Sequence, residues 1–288
     1  MKRRSDPSIS IDVITEADID AADEIMKLAF QSKDSRRANI RRNMFMQPGC
    51  WLMARYKGEP VGTVGATDYG PFAYIGLMAV NPRLQGRGIG FALLDELLRW
   101  LDEHGSPMSL LDATEMGRPL YWQMGFVEQG FARQFRLTQP AEVRFPEGQV
   151  EPMQASDIPG MAAFDLPIFG ASREKVFAAF LADFQGRAFV TRDASGQING
   201  YTFAQARSIG PWAAGGPDEA EALLQAALSL PFESAPGVII PAANITGVRL
   251  LLRSGFIFHH ANTHMRRGGQ RHPSQRSRIY AQAGFAIG

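Results

Sequence analysis

The sequence predicts an α/β protein made of two mixed-sheet domains with helices on both faces, plus a C-terminal tail that packs on the body. Strand and helix patterns alternate through the first half, which is typical of such a fold. Three sequence blocks of the first half recur in the same order in the second half. Between the halves, residues 138–150 (TQPAEVRFPEGQV) carry prolines and charges without periodicity, as linkers do. We therefore predict domains at 1–140 and 141–265 and a tail at 266–288.

The elements of the first half follow from apolar spacing and from turn and cap residues. Thr15 precedes a helical pattern and can cap its first turn. The turn KGE at 57–59 separates two runs rich in strand-forming residues and predicts a hairpin. The predicted strands are 11–14, 50–56, 60–69, 73–80, 108–113 and a strand pair between Phe126 and Leu137. The predicted helices are 15–30, 33–46, 88–104 and 117–124.

The repeated blocks indicate a duplicated domain, because three matches in one order are unlike a chance similarity. Asp18 falls on Asp157, and Gly62 falls on Gly200. The aligned blocks are EADIDAADEIMKLAF (16–30) with ASDIPGMAAFDLPIF (155–169), GCWLMARYKGEPVG (49–62) with GRAFVTRDASGQING (186–200), and GRPLYWQMGF (117–126) with GVRLLLRSGF (247–256).

The composition limits the classes of partner and compartment. Of 288 residues, 45% are hydrophobic, and 30 basic against 29 acidic residues leave a net charge of +1. No overall field therefore attracts nucleic acid or a membrane surface. The single cysteine, Cys50, excludes an internal disulfide and suits a reducing compartment. The N-terminal MKRRSDPSIS is followed by no long apolar run, so we expect neither export nor membrane anchoring. We therefore expect a cytoplasmic protein.

A glycine-rich turn precedes the helix predicted at 88–104. The stretch QGRGIG (85–90) sets glycines at alternate positions, and the first N–H groups of a helix form an anion site when side chains stay clear. A tight bend of the chain would need the same glycines, so both interpretations stand. The stretch lacks the GK[ST] of a Walker loop and the GxGxxG of a dinucleotide fingerprint.

The surrounding residues resemble motif A of the GNAT superfamily of N-acetyltransferases. In LMAVNPRLQGRGIGFALL (77–94), Val80, Pro82, Gln85, Gly88 and Gly90 occupy the motif positions without a gap. DATEMGRPLYWQMGF (112–126) resembles the later motif of that family, and the resemblance covers about residues 10 to 140. It implies acetyl-CoA as co-substrate, with the pyrophosphate on the glycine turn and the pantetheine arm beside the strand that ends at Val80. The implied cofactor-binding residues are Met78, Ala79, Val80, Gln85, Gly86, Arg87, Gly88, Ile89, Gly90, Phe91, Asp112 and Thr114.

The resemblance also implies a proton donor and leaves the proton acceptor open. Tyr121 matches the tyrosine general acid of the family, although an aromatic residue here can also simply pack a helix. A strand amide near Met78 would polarise the thioester carbonyl. The strand AYIGLMAV contains no acidic residue, so the base is Asp68, a water chain or another group, and Asp68 also fits an ordinary loop residue. Asp112 either contacts the cofactor or caps the helix at 117.

Other polar clusters are ambiguous. The basic residues of the second helix form a solvated face or attract an acidic substrate; they are Lys33, Arg36, Arg37, Arg41 and Arg42. His259, His260 and His264 fall on a predicted strand without acidic or cysteine ligands nearby, so we expect strand histidines and no metal site. Cys50 matches no motif for nucleophilic catalysis.

The second copy differs from the first at the residues that the resemblance makes important. Asp218 stands where Gly88 would align, Ala220 replaces Gly90, and Leu251 replaces Tyr121. We therefore expect a second domain without cofactor binding. The expected function is transfer of an acetyl group to a primary amine of a small molecule or peptide by direct attack. The alternatives are a non-catalytic acyl-CoA-binding or sensing protein, and a protein-interaction module that includes homodimer formation.

Overall fold

The computed structural model describes residues 8–138, 143, 145–269 and 274–288. The residues at 139–142 and 144, where the first domain boundary is predicted, lie outside this description. Eight α-helices are described: α1 Ile19–Phe30, α2 Arg37–Met46, α3 Ile89–Glu103, α4 Arg118–Gln123, α5 Ile158–Phe169, α6 Glu174–Asp183, α7 Pro217–Leu228 and α8 Ile245–Arg253. The strands are β1 Ile9–Val13, β2 Trp51–Tyr56, β3 Glu59–Asp68, β4 Ala73–Val80, β5 Met108–Ala113, β6 Val127–Leu137, β7 Glu151–Pro152, β8 Ala188–Arg192, β9 Ile198–Ala204, β10 Ser208–Ala214, β11 Gly237–Pro241, β12 Phe256–Gly268 and β13 Ile279–Ala281.

All of these strands belong to one mixed sheet that runs through both halves. Its order is β1-β2-β3-β4-β5-β12-β6-β11-β10-β9-β8-β7, and β13 pairs with β10. Neighbours are antiparallel except for β4 with β5 and β10 with β11. The predicted mixed α/β class is therefore confirmed.

Helices cover both faces of the sheet, as alternation along β2 shows. Trp51 and Met53 pack in the cluster that contains α1, while Leu52 and Ala54 pack in the cluster that contains α3. Successive residues of a strand point to opposite faces, so α1 and α3 lie on opposite sides. The same alternation in β8 places Val190 with α6 and Phe189 with α7.

The two halves exchange their last long strands at the centre of the sheet. β12 of the second half lies between β5 and β6 of the first, and β6 pairs in turn with β11 of the second half. The strand pair predicted between Phe126 and Leu137 is therefore wrong: this segment is the single strand β6. Its antiparallel partner is supplied by a segment about 130 residues later, which no local pattern can reveal.

The exchange also affects the predicted limits of the domains. The boundary predicted between residues 265 and 266 falls inside β12, because the pairing with β5 continues from Thr263 to Gly268. The remaining domain limits stay a prediction. Within the predicted tail, residues 279–281 form β13, and all three are buried.

The duplication predicted from sequence appears in matching local structure. Asp18 accepts a hydrogen bond from the Thr15 backbone N–H (2.9 Å) and pairs with Arg55. At the equivalent positions, Asp157 accepts from Gln154 N–H (2.8 Å) and pairs with Arg192 (2.7 Å). The two parallel pairs are also equivalent, since each comprises only two residue pairs before its strands separate. Within the described residues, no helix has the length and apolar character needed to cross a membrane.

Candidate active site

The separation of β4 from β5 opens a cleft of about 1090 Å³ in the first copy. The two strands pair at Ala73–Ser109 and Tyr74–Leu110 and then diverge, which leaves the later part of β4 facing the cleft. Of the predicted cofactor-binding and catalytic residues, the following line it: Met78, Ala79, Val80, Gln85, Gly86, Gly88, Ile89, Gly90, Phe91, Asp112, Thr114 and Tyr121. Arg87 does not line it, since its guanidinium lies on the Tyr56 ring and donates to the Tyr56 hydroxyl (3.4 Å).

β4 is irregular where it borders the cleft. Its pairing with β3 shifts register between Thr63–Ala79 and Gly65–Gly76, so Leu77 and Met78 together oppose one residue of β3. Leu77 has a positive φ of 52°, and its carbonyl accepts a hydrogen bond from the Thr63 hydroxyl (2.7 Å). Such a bulge takes peptide groups out of the regular ladder. The backbone at Leu77 and Met78 is thereby available to a strand-like ligand in the cleft.

The glycine turn leads into α3 with two residues in left-handed conformation. Gly86 has φ 77° and Gly88, the N-cap of α3, has φ 83°, as the tight bend of the chain requires. A Cβ at either position would meet nothing within 4 Å, which leaves open space in front of the helix. The first intrahelical bond runs from Ala92 N–H to the Gly88 carbonyl (2.9 Å). The amides before Ala92 are therefore the orphan donors of a helix N-terminus.

Gly90 has a different role, which is to keep room for neighbouring side chains. A Cβ there would lie 3.3 Å from the Met78 Cε and 3.4 Å from a Leu120 methyl. Gln85 holds the other end of the turn, because its side-chain amide donates to the Val80 carbonyl (3.2 Å). This hydrogen bond and the close packing at Gly90 hold β4, the glycine turn and α3 against each other along one wall of the cleft.

Tyr121 lies on α4 and lines the same cleft. Its ring packs edge-on against Phe126 at 5.7 Å, and the residue is 7% exposed. Among the described residues, none hydrogen-bonds to its hydroxyl. Burial raises the pKa of Tyr121 well above its ordinary value, so the phenol keeps its proton at neutral pH.

The Asp112 side chain belongs to a buried polar network and points away from the cleft. Its carboxylate is fully buried and accepts hydrogen bonds from the Tyr74 hydroxyl (2.6 Å), the Gln282 amide (2.9 Å) and His264 Nδ1 (2.9 Å). Burial raises the pKa of Asp112, but the hydrogen bond from His264 and the charge of Arg276 outweigh it and lower the pKa. Because its side chain has no exposed surface, Asp112 borders the cleft through its main chain.

His264 in this network is neutral, and its tautomer follows from its neighbours. Arg276 donates to His264 Nε2 (3.1 Å), so the proton sits on Nδ1 and is donated to Asp112. Burial and the charge of Arg276 lower the pKa of His264. Asp112 does not cap α4: its N-cap is Gly117, and the Thr114 hydroxyl accepts a hydrogen bond from the Gly117 N–H (3.2 Å) in the turn before the helix.

Of the remaining predicted candidates, some lie away from the cleft and others line it. Asp68 closes a turn, where it accepts from the Gly70 N–H (2.8 Å), and it does not line the cleft. Cys50 is fully buried, and burial raises its pKa to about 12. Arg37 and Arg41 pair with Asp20 and Glu16 on the surface, as a solvated face predicts.

Two other basic residues of the cluster do reach the cleft. Arg36 and Arg42 line it, and Arg42 is 7% exposed, pairs with Asp183 of the second half (2.7 Å) and stacks on Phe180. Arg36 is held by a hydrogen bond from its backbone N–H to Asp23 (2.5 Å). Arg36, the N-cap of α2, and Arg42, near the middle of that helix, therefore both contribute side chains to the cleft.

Sequence reasoning missed a wall of the cleft that the second half supplies. Gln134 and Arg136 of β6 face residues of β12, and a terminal segment crosses in front of β4. The lining residues from the second half are His259, His260, Asn262, Ala283, Gly284, Phe285, Ala286 and Ile287. The expected strand histidines are on a strand, but the exchange of β12 brings two of them to the cleft. The described residues contain no group of three metal-ligating side chains.

Comparison with known proteins agrees with this geometry. The acetyltransferase (GNAT) family matches residues 19–126, and a second acetyltransferase (GNAT) domain matches residues 161–281. An uncharacterized N-acetyltransferase, YitH of Bacillus subtilis, is 25% identical over 146 residues, which are 50% of this chain and 50% of that protein. The match thus spans about half the length of that relative.

Solved structures show the same fold over the whole chain. A putative acetyltransferase from Pyrococcus horikoshii has a TM-score of 0.88 at 24% identity, covering 100% of this chain and 99% of that one. A tandem GNAT protein from the clavulanic acid biosynthesis pathway has a TM-score of 0.66 at 14% identity, covering 91% and 99%. With one family match in each half and a shared tandem fold, this chain belongs to the GNAT family of acetyltransferases and carries two copies of its domain.

Proposed function

We propose that this protein transfers the acetyl group of acetyl-CoA to a primary amine by direct attack in the cleft between β4 and β5. The observation that carries the proposal is the placement of the splayed strands, the glycine turn and Tyr121 around one cavity. The turn fits a pyrophosphate, because it offers orphan amides and open space where side chains would stand.

Each part of the cleft has a distinct task in this reaction. The amides at the start of α3 bind the anionic end of the co-substrate. The bulged backbone at Leu77 and Met78 orients the thioester arm and supplies an N–H group towards the carbonyl oxygen. Tyr121, protonated at neutral pH, gives a proton to the departing thiolate sulfur.

The acceptor is an amine of a small molecule or a peptide, bound on the side of the cleft lined by the second half. The test incubates the full chain with acetyl-CoA and a panel of amino acids, polyamines, aminoglycosides and peptides while free thiol is followed. Amine-dependent thiol release with a product heavier by one acetyl group supports the proposal. Binding of acetyl-CoA by calorimetry without thiol release for any amine would favour a non-catalytic acyl-CoA-binding protein instead.

A further inference from the structure

A β-bulge in β12 lies beside the cleft. The pairing of β12 with β6 passes from Phe258–Phe135 to His260–Gln134, which leaves His259 as an extra residue without an opposite partner. Bulges of this kind occur near active sites because they redirect side chains. Here two successive imidazoles line the same cleft, although successive residues of a regular strand face opposite sides.

A short series of contacts connects His260 to the bulge of β4. The His260 ring lies 5.9 Å from the Phe285 ring, with 32° between the planes. The next residue, Ala286, sits on β4 so closely that a Cβ at Gly76 would lie 2.2 Å from its Cα. Gly76 directly precedes the bulged Leu77, where the thioester carbonyl is expected. His260 therefore lies on the side of the cleft that the second half lines, and it is connected to the bulge of β4 through Phe285 and Ala286.

The neighbours of His260 favour its neutral form. Burial, the charge of His259 and the charge of Arg136 lower the pKa of His260 below 6.5. The terminal segment 283–287 packed against it carries no titratable side chain. The Nδ1 atoms of His260 and His259 are 3.5 Å apart, so Nε2 of His260 is the nitrogen available to a substrate.

We propose that His260 is the proton acceptor for the attacking amine, a role that rests on the acetyl transfer proposed above. The amine nitrogen forms the N–C bond while the C–S bond breaks and its electron pair passes to sulfur. One proton moves from the amine nitrogen to His260 Nε2, and one moves from the Tyr121 hydroxyl to the sulfur. Solvent then takes the proton of His260 and returns one to Tyr121, so the protein is restored.

The test compares His260→Gln with two other histidine variants in the full chain, using the best amine of the panel with a pKa above about 8 and calculating kcat/KM for its unprotonated form at each pH. We expect His260→Gln to lower kcat/KM about 100-fold and to remove the acidic limb of its pH profile, with acetyl-CoA affinity unchanged. His104 follows the last residue of α3 and does not line the cleft, so His104→Gln should keep the profile. His259→Gln should keep the limb but move it to higher pH, because a neighbour that lowers the pKa of His260 is gone.

Two further measurements exclude a merely structural effect. Arg136→Gln should also move the limb upwards, and free imidazole should restore part of the activity of His260→Ala. An unchanged acidic limb in His260→Gln, while the wild type turns over, would overturn the role of His260 and leave the proposed acetyl transfer intact. If the wild type turns over no amine, the acetyl transfer itself is contradicted, and the role of His260 falls with it.

Discussion

The three glycines of the turn before α3 serve different physical ends. Gly86 and Gly88 take left-handed backbone conformations, which other residues adopt at a cost. Gly90 has an ordinary φ and instead leaves room for Met78 and Leu120. A valine at Gly88 would therefore strain the backbone as well as fill the space. A test of the space alone needs a residue that tolerates the left-handed conformation.

Gly88→Asn adds a side chain that tolerates left-handed conformation better than most. It should reduce acetyl-CoA affinity at least about tenfold, or ~1.4 kcal/mol, because the side chain enters the space for the pyrophosphate. Gly105→Asn is a matched control, since Gly105 also has positive φ and open space but lies at the far end of α3. Calorimetry should find wild-type affinity in the control. Equal affinities in both folded variants would refute the phosphate role of the turn.

Tyr121→Phe tests the proton donor separately from binding. The phenol matters to the departing thiolate and not to the bound ground state, so kcat should fall about 100-fold with little change in acetyl-CoA affinity. The ring keeps its contact with Phe126, and thermal unfolding should confirm that the fold is unaffected. Wild-type turnover would reduce Tyr121 to a packing residue.

At the scale of elements, local sequence patterns predicted the helices and most of the strands of the first half, but not which strands pair with each other. Strands β4 and β5 were predicted within their observed limits, because both are apolar runs bounded by turn residues. The insertion of β12 between β5 and β6 depends on contacts far apart in the chain, so its two cleft histidines looked like ordinary strand residues. The sequence likewise predicted the glycine turn and Tyr121, whereas the buried direction of the Asp112 side chain depends on Tyr74, His264 and Gln282 together.

The exchanged strand predicts that a change in the second half destabilises the core of the first. Met265 of β12 is fully buried among α3 and β5 residues, and Met265→Ala should lower the free energy of unfolding by ~2–5 kcal/mol. Ile257→Ala, on the same strand but 53% exposed, should cost less than about 0.5 kcal/mol. Urea unfolding should show one transition for both halves. Two separate transitions, with only the later half weakened by Met265→Ala, would contradict the shared sheet.

At the scale of the whole molecule, the two copies differ where their parallel strands separate. In the second copy β13 lies where β10 and β11 separate: Ala281 pairs with Trp212, and the Gln282 N–H donates to the Ile239 carbonyl (2.8 Å). The chain thus places its own backbone at the position equivalent to the cleft between β4 and β5 of the first copy. The helix that follows β10, α7, begins with Pro217 and carries Asp218 and Glu219 in its first turn. These two carboxylates interact favourably with the positive end of the helix dipole and repel an anion.

The intact protein should therefore bind one acetyl-CoA per chain. Calorimetric titration should give a stoichiometry of one for the wild type, and Gly88→Asn should weaken that same site. Asp218→Ala is an informative companion, since removing one acid should not create a second site while β13 fills the gap. A second site that survives Gly88→Asn would contradict the loss of binding at residues 215–224.

The exchange of β6 and β12 also has an evolutionary consequence. After gene duplication a copy that no longer binds its ligand is ordinarily free to be lost. Here a shortened gene that ends before residue 256 would remove the strand beside β5, together with the buried Met265 and His264. Selection on the first copy then also preserves β12 of the second, because that strand completes the sheet of the first copy.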